Sequence, residues 1–271
     1  MTNIPIYTIQ FLDISFTNRE TFLKFMHDSV IEFVNKHKTE FGNNGINVQY
    51  FHNTSKKPVP SLIHCLTINT IFTIRAYSQT RIDALKYWFV LFKEKHPELC
   101  ENCIESTEKF QFKLHPTKTF VYTSDNWIPF NACVKTENNF YIDKNKKGVS
   151  VVPKDQLKSR LLGNLSQFLE SLSINVKEAI QLEEDKYKLF KIEKYPTKHN
   201  TTIALTRNEN GKIIAKDKIS FKINILTNYE LPSYFSIGQN VSYGNGVFIR
   251  NNTKTKHNET TKANIKPIKM V

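Results

Sequence analysis

"IPIYTIQFLDISFTNRETFLKFMHDSVIEFVNKHK", Ile4 to Lys38, changes its hydrophobic period in the middle. Its first part is β-branched and aromatic and reads as a strand. Thr17 or Asn18 then offers an N-cap, after which Phe22, Phe25, Met26, Val30, Phe33 and Val34 recur at the spacing of an amphipathic helix. Short apolar runs follow at "INVQYF", "SLIHCLTI" and "IFTIRAY", separated by polar turns. Helical spacing returns in "TRIDALKYWFVLFKEKH", and "KFQFKL" supplies one more strand. The order spells a β-α-β-β-α-β unit, the ferredoxin-like arrangement.

After His115 and Pro116 the pattern restarts with a strand in "TKTFVYTSDNWIPF" and a long helix in "KDQLKSRLLGNLSQFLESLSI". In that helix Leu157, Leu161, Leu165, Phe168, Leu169 and Leu172 share one stripe. Strands are expected at "IALTR" and, beyond an "ENGK" turn, at "KISFKINILT", where Ile219, Phe221, Ile223 and Ile225 alternate with polar residues. The fold class is therefore α+β, with two tandem ferredoxin-like (RRM-like, βαββαβ) domains over 1–115 and 116–251. Residues 252–271, basic and without periodicity, read as a mobile tail.

In a chain of 271 residues, 39% apolar and 12% aromatic content exclude a disordered protein. A net charge of +13 points to a polyanionic partner. Charge alone does not separate RNA from DNA or an anionic membrane, and solubility is the other reading. No run of 18 apolar residues and no leader pattern is present, so a cytoplasmic protein without a membrane partner is expected. Four cysteines make no disulfide scaffold. Cys100-x-x-Cys103 has the spacing of half a zinc site or a redox pair, but with no second pair it reads as incidental and reduced, and no metal or cofactor is expected.

"LPSYFSIGQNVSYGNGVFIR", Leu231 to Arg250, holds Gly238, Gly244 and Gly246, three of only eight glycines. Either a tight hairpin or a close backbone approach explains them. The loop is preceded in order by "YFHN" at Tyr50 to Asn53, "VPSLIHCLTI", "WIPFNACVKTENNF" from Trp127 and "LLGNLSQFLESLSI". In these motifs, over most of residues 5–250, the chain resembles the CRISPR-associated endoribonucleases that cut precursor CRISPR RNA at its repeats, which carry a C-terminal glycine-rich loop.

The resemblance implies metal-independent cleavage, in which the ribose 2′-OH attacks the adjacent phosphate and leaves a cyclic phosphate and a 5′-OH. That chemistry needs a base, an acid and a cation. The local set for it is His52 with Tyr50, Lys56 and Lys57. RNA contacts are expected from Gly238, Ser242, Gly244 and Gly246, whose backbone N–H groups would cradle phosphate. Lys158, Arg160 and Arg250 would grip the backbone, and Tyr243 or Phe248 would stack on bases. The implied partners are CRISPR repeat RNA and precursor CRISPR RNA, with a CRISPR effector complex as a further one, for a monomer or homodimer. His27 could line a cleft beside the first helix, His37 lies near its C-terminal end, and His64 and His115 read as structural.

The chain departs from the family pattern at Thr54, where a second histidine completes the "FHN" motif. It departs again at Gln239 and Asn245, where the family places a basic and an aromatic residue. Two alternatives therefore stand beside the enzyme: a relative that binds CRISPR RNA or its effector without cutting, and a ferredoxin-like module with no CRISPR role.

Overall fold

The computed structural model describes residues 3–52, 61–115, 117–129, 154–175, 191–193, 200–207, 210, 212–239, 241–251 and 256–257. The first strand, β1 (Asn3–Ser15), leads to Asn18, whose side chain accepts the N–H of Glu20 at 2.7 Å and caps α1 (Arg19–Phe25). The expected single helix is then interrupted by a π-helical stretch, Met26–Ile31, closed by a bond from the Glu32 N–H to the His27 carbonyl. It resumes as α2 (Glu32–Lys36) and α3 (Lys38–Asn43). The wider turn shifts the phase of the apolar stripe, so that Val30, Ile31, Phe33 and Val34 are all buried.

"INVQYF" differs from its expected strand. Asn47 Oδ1 accepts the Gln49 N–H at 2.9 Å, and this local bond starts a 3-10 turn over Val48–Tyr50 instead. The remaining elements of the first unit are β2 (Ile63–Ile68), β3 (Ile71–Tyr77), α4 (Gln79–Lys95) and β4 (Cys103–Gln111). The sheet order is β2-β3-β1-β4, all neighbours antiparallel, which is the ferredoxin-like order. Helices cover one face through an aromatic core in which Phe11, Phe22, Phe72, Trp88 and Phe92 are all 1% exposed or less.

The second unit is again a sheet with a helix, in a different order. Its strands are β6 (Lys118–Trp127), β7 (Lys191–Ile192), β8 (Asn200–Arg207), β9 (Ile213–Thr227), β11 (Tyr234–Ser236) and β12 (Val247–Arg250), with α5 (Lys154–Ser171). The sheet runs β11-β12-β6-β9-β7, and β8 also pairs with β9. Between β9 and β11 the chain forms no second helix. Residues Tyr229–Glu230 (β10) instead pair with Lys113–Leu114 (β5) in a separate two-stranded sheet, tying the link between the units to the C-terminal unit. Of the stretch read as a tail, Lys256–His257 (β13) pairs with Lys118 and Thr119 of β6, and the rest lies outside the described residues.

All six residues of the α5 stripe are buried, in one cluster with Phe120, Tyr122, Trp127, Phe221 and Phe235. That cluster also takes in Ile4, Ile6, Leu62, Tyr77 and Phe110 of the first unit. Phe168 is the hinge of the arrangement, with its ring 5.6 Å from Phe235 and 5.5 Å from Tyr77. Residues of both sheets thus share one core with the buried stripe of α5. Tyr77 Oη and Arg75 Nη1 both donate to the Tyr234 carbonyl, at 2.5 and 3.1 Å, and Arg75 also pairs with Glu108.

His64 sits in this seam, fully buried between Tyr77 and Phe168, with Nε2 2.7 Å from the Ser61 carbonyl. Burial pulls its pKa down to about 4 from 6.5; the Ser61 bond opposes the shift and nearby Arg75 adds to it. Between pH 6.5 and 4 the unfolded chain binds a proton that the folded chain refuses, so stability falls as the pH is lowered through that window, by about 3 kcal/mol. His64→Gln, whose amide still reaches a carbonyl, is expected to flatten the loss of Tm between pH 7 and 4. An unchanged profile would assign the acid sensitivity to other groups.

Candidate functional site

The glycine-rich segment is the loop of the β11–β12 hairpin. One 3-10 turn, Val241–Tyr243, stands within it, and Gly238, Gly244 and Gly246 have φ of 102°, 69° and 63°. The left-handed backbone expected from the sequence is present. Its purpose is packing. A Cβ on Gly244 would lie 2.8 Å from the Cys65 carbonyl oxygen of β2 and 2.9 Å from the Phe22 ring of α1, so the loop lies flat on the first unit at a residue without a side chain.

The loop backbone is also committed within the protein. The Gly244 N–H donates to Val241 O at 3.1 Å and the Gly246 N–H to Asn126 O at 3.3 Å. Of the four N–H groups expected to face phosphate, those of Gly244 and Gly246 are thus engaged within the protein. Tyr243, 5% exposed, belongs to the core of the first unit, and Phe248 is fully buried in the second, so neither ring presents a face to an RNA base in this arrangement. Asn245, which stands at one departure from the family pattern, is fully buried with neither amide atom hydrogen-bonded.

Two contacts fix the loop to the N-terminal unit. Arg19, at the start of α1, donates to the Tyr243 carbonyl; burial lowers its pKa to about 10, which still leaves it charged at neutral pH. From the other side His52 approaches, with Nδ1 3.3 Å from Ser242 Oγ and its ring edge-on to Tyr243 at 5.1 Å between centroids. "FHN" and the glycine loop, 190 residues apart, therefore meet.

Next to this junction His52 borders a cavity of about 240 Å³. Ile31, Val34 and Phe51, all buried, form its apolar floor. Its polar wall consists of Asn35, Lys38, Asn47, Gln49 and His52. Helices α2 and α3 supply one side of this wall, and the 3-10 turn with the residues beside it supplies the other. The histidine was legible in the sequence, whereas Lys38 and the three amides were not, because exposed polar residues on a helix or turn carry no periodic signal.

The other expected residues are distributed. Lys56 and Lys57, like Thr54, lie outside the described residues. Tyr50 is half-buried under the Arg81 guanidinium, 4.3 Å from its ring centre. Lys158 and Arg160 are exposed on α5. Arg250 is engaged by the protein itself, paired with Glu230 at 2.7 Å and stacked on Phe120 at 4.5 Å. Glu230 also binds His115 Nε2 at 2.9 Å, a cluster not foreseen from the sequence. Of the first-helix histidines, His27 contacts Asp28 at 3.0 Å, and His37 contacts Glu40 at 2.6 Å while stacking on Phe33. Burial raises the thiol pKa of Cys100 and, aided by Cys100, that of Cys103 to about 12, so both stay protonated as an inert pair.

No family model matches the sequence, and no curated protein does. Solved structures do. A CRISPR RNA processing endoribonuclease, Cas6b, superposes with a TM-score of 0.56 at 16% identity, over 92% of this chain and 100% of the other. A second Cas6b structure gives the same values. Csf5, a type IV CRISPR-Cas Cas6 crRNA endonuclease, gives a TM-score of 0.53 at 11% identity over the same shares. The chain thus has the fold of the Cas6 CRISPR RNA endonucleases.

Proposed function

We propose that this chain is a CRISPR repeat endoribonuclease that binds precursor CRISPR RNA and cleaves it without metal. The observation that carries the reading is the meeting of His52 with Ser242 of the glycine loop at the rim of a cavity with a lysine in its wall. In this reading His52 takes the proton of the attacking 2′-OH, the general-base role that histidine most often fills. Lys38, with Lys56 and Lys57 on the segment following His52, balances the charge that develops on the phosphorane. The glycine loop, rather than cradling phosphate itself, holds Ser242 beside His52, and the exposed Lys158 and Arg160 bind the RNA backbone. The domain limits 1–115 and 116–251 belong to the same reading, as does a cytoplasmic location.

The test is incubation with an end-labelled CRISPR repeat hairpin in EDTA. Cleavage at one site, leaving a cyclic phosphate, is the expected result. Salt-sensitive binding without cleavage would identify a binding relative instead, and the absence of both would remove the CRISPR reading.

A further inference from the structure

We infer that β4 is a dimerisation edge, along which a second copy of this chain pairs antiparallel and continues the four-stranded sheet of the first unit. The inference does not depend on the RNA reading. β4 closes the order β2-β3-β1-β4 and has no second neighbour among the described residues. Its pairing with β1 keeps one register from Cys103 to Gln111, and no proline or glycine interrupts its nine residues. Prolines, bulges, short strands or charges commonly blunt such an edge. Here only charges are present, and they match a second copy.

The backbone shows how. The Leu12 N–H donates to the Asn102 carbonyl at 3.2 Å, and direction alternates along an antiparallel ladder. The even-numbered residues of β4 therefore face β1, while Cys103, Glu105, Thr107, Lys109 and Gln111 turn their N–H and C=O groups outward. A two-fold axis normal to the sheet keeps the faces of both copies level, so odd residues stand opposite odd ones. An axis at Thr107 uses the whole strand. It sets Glu105 opposite Lys109 of the second copy, twice over, and Ile104 opposite Phe110, with no like charges facing. An axis at Ser106 loses both charge pairs, and one at Glu105 or Glu108 brings two glutamates face to face.

Exposed apolar side chains gather at the same edge. Among the described residues, the large hydrophobics left in water are Leu12, Val90, Ile104 and Ile249. Ile104 stands on β4, and Leu12 is bonded to Asn102 just before it. Val90 lies one turn beyond Lys86 on α4, whose Nζ is 5.1 Å from the centre of the Tyr7 ring, and Tyr7 Oη donates to Glu105. A second copy laid along β4 would cover these three.

The experiment is sedimentation equilibrium of the full chain without RNA. A species of twice the chain mass is expected. Thr107→Pro should return it to the monomer, because the N–H removed is one that β1 does not use. Lys109→Glu, which sets glutamates opposite each other, should weaken the dimer about tenfold. Loss of positive charge from a chain of net charge +13 would by itself ease association, so weakening marks the pair. Circular dichroism checks that each variant folds, and if Thr107→Pro does not, Lys109→Glu decides alone. A wild-type monomer at the highest concentration that stays in solution, a dimer indifferent to Thr107→Pro, or one that Lys109→Glu leaves unchanged or strengthens would overturn the assignment.

Discussion

Replacing His52 with alanine is expected to slow single-turnover cleavage of a repeat RNA by about 10²- to 10⁴-fold, the range for removing a positioned general base, with RNA affinity unchanged. The asymmetry follows from the geometry. His52 touches Ser242 and Tyr243 and borders a cavity, while the loop is anchored independently by Arg19 on the Tyr243 carbonyl and by Gly244 on β2. Loss of the imidazole removes a proton acceptor and leaves the docking intact. Ser242→Ala, which removes only the partner that orients the ring, should give a smaller loss and shift the pH profile of the reaction. A His52→Ala protein that cleaves at the wild-type rate would exclude His52 from the chemistry, and one that no longer binds RNA would show that its role is to hold the loop.

Gly246→Ala should produce the largest loss of stability of any single methyl addition in the glycine loop. With φ at 63°, the new Cβ would lie 1.9 Å from the backbone oxygen of Ile237, the residue whose N–H donates to Gly246 O at 3.0 Å. Neither partner can yield without opening the hairpin, because Ser236 pairs with Val247 immediately beside them. A left-handed non-glycine residue costs about 1–3 kcal/mol before any clash, so a total of about 3 kcal/mol or more is expected, lowering Tm by about 6–12 °C in a chain of this size. Thermal or urea denaturation measures it. A Tm within error of the wild type would mean that the turn rebuilds without a left-handed residue.

What the sequence made legible, and what it hid, divides along physical lines. Periodicity located α4, α5 and the strands with alternating burial, because those residues face a core on one side. It failed at β4, where residues 104–109 are all exposed on an edge strand and leave no alternation to read. At "INVQYF" the Asn47 side chain overrode an extended preference that Val48, Tyr50 and Phe51 would otherwise have set. The three glycines announced an unusual backbone, correctly, but not what lay against it: Cys65 and Phe22 are far away in sequence, and nothing local to the loop points to them. The same limit applied to Arg250, whose partners Glu230 and Phe120 meet it only once the C-terminal sheet is formed.

The shared core has a consequence for any shortened form of the chain. Because residues of both sheets pack with α5 in one cluster, a gene fragment encoding either half alone would yield a sheet with an apolar side wetted by water.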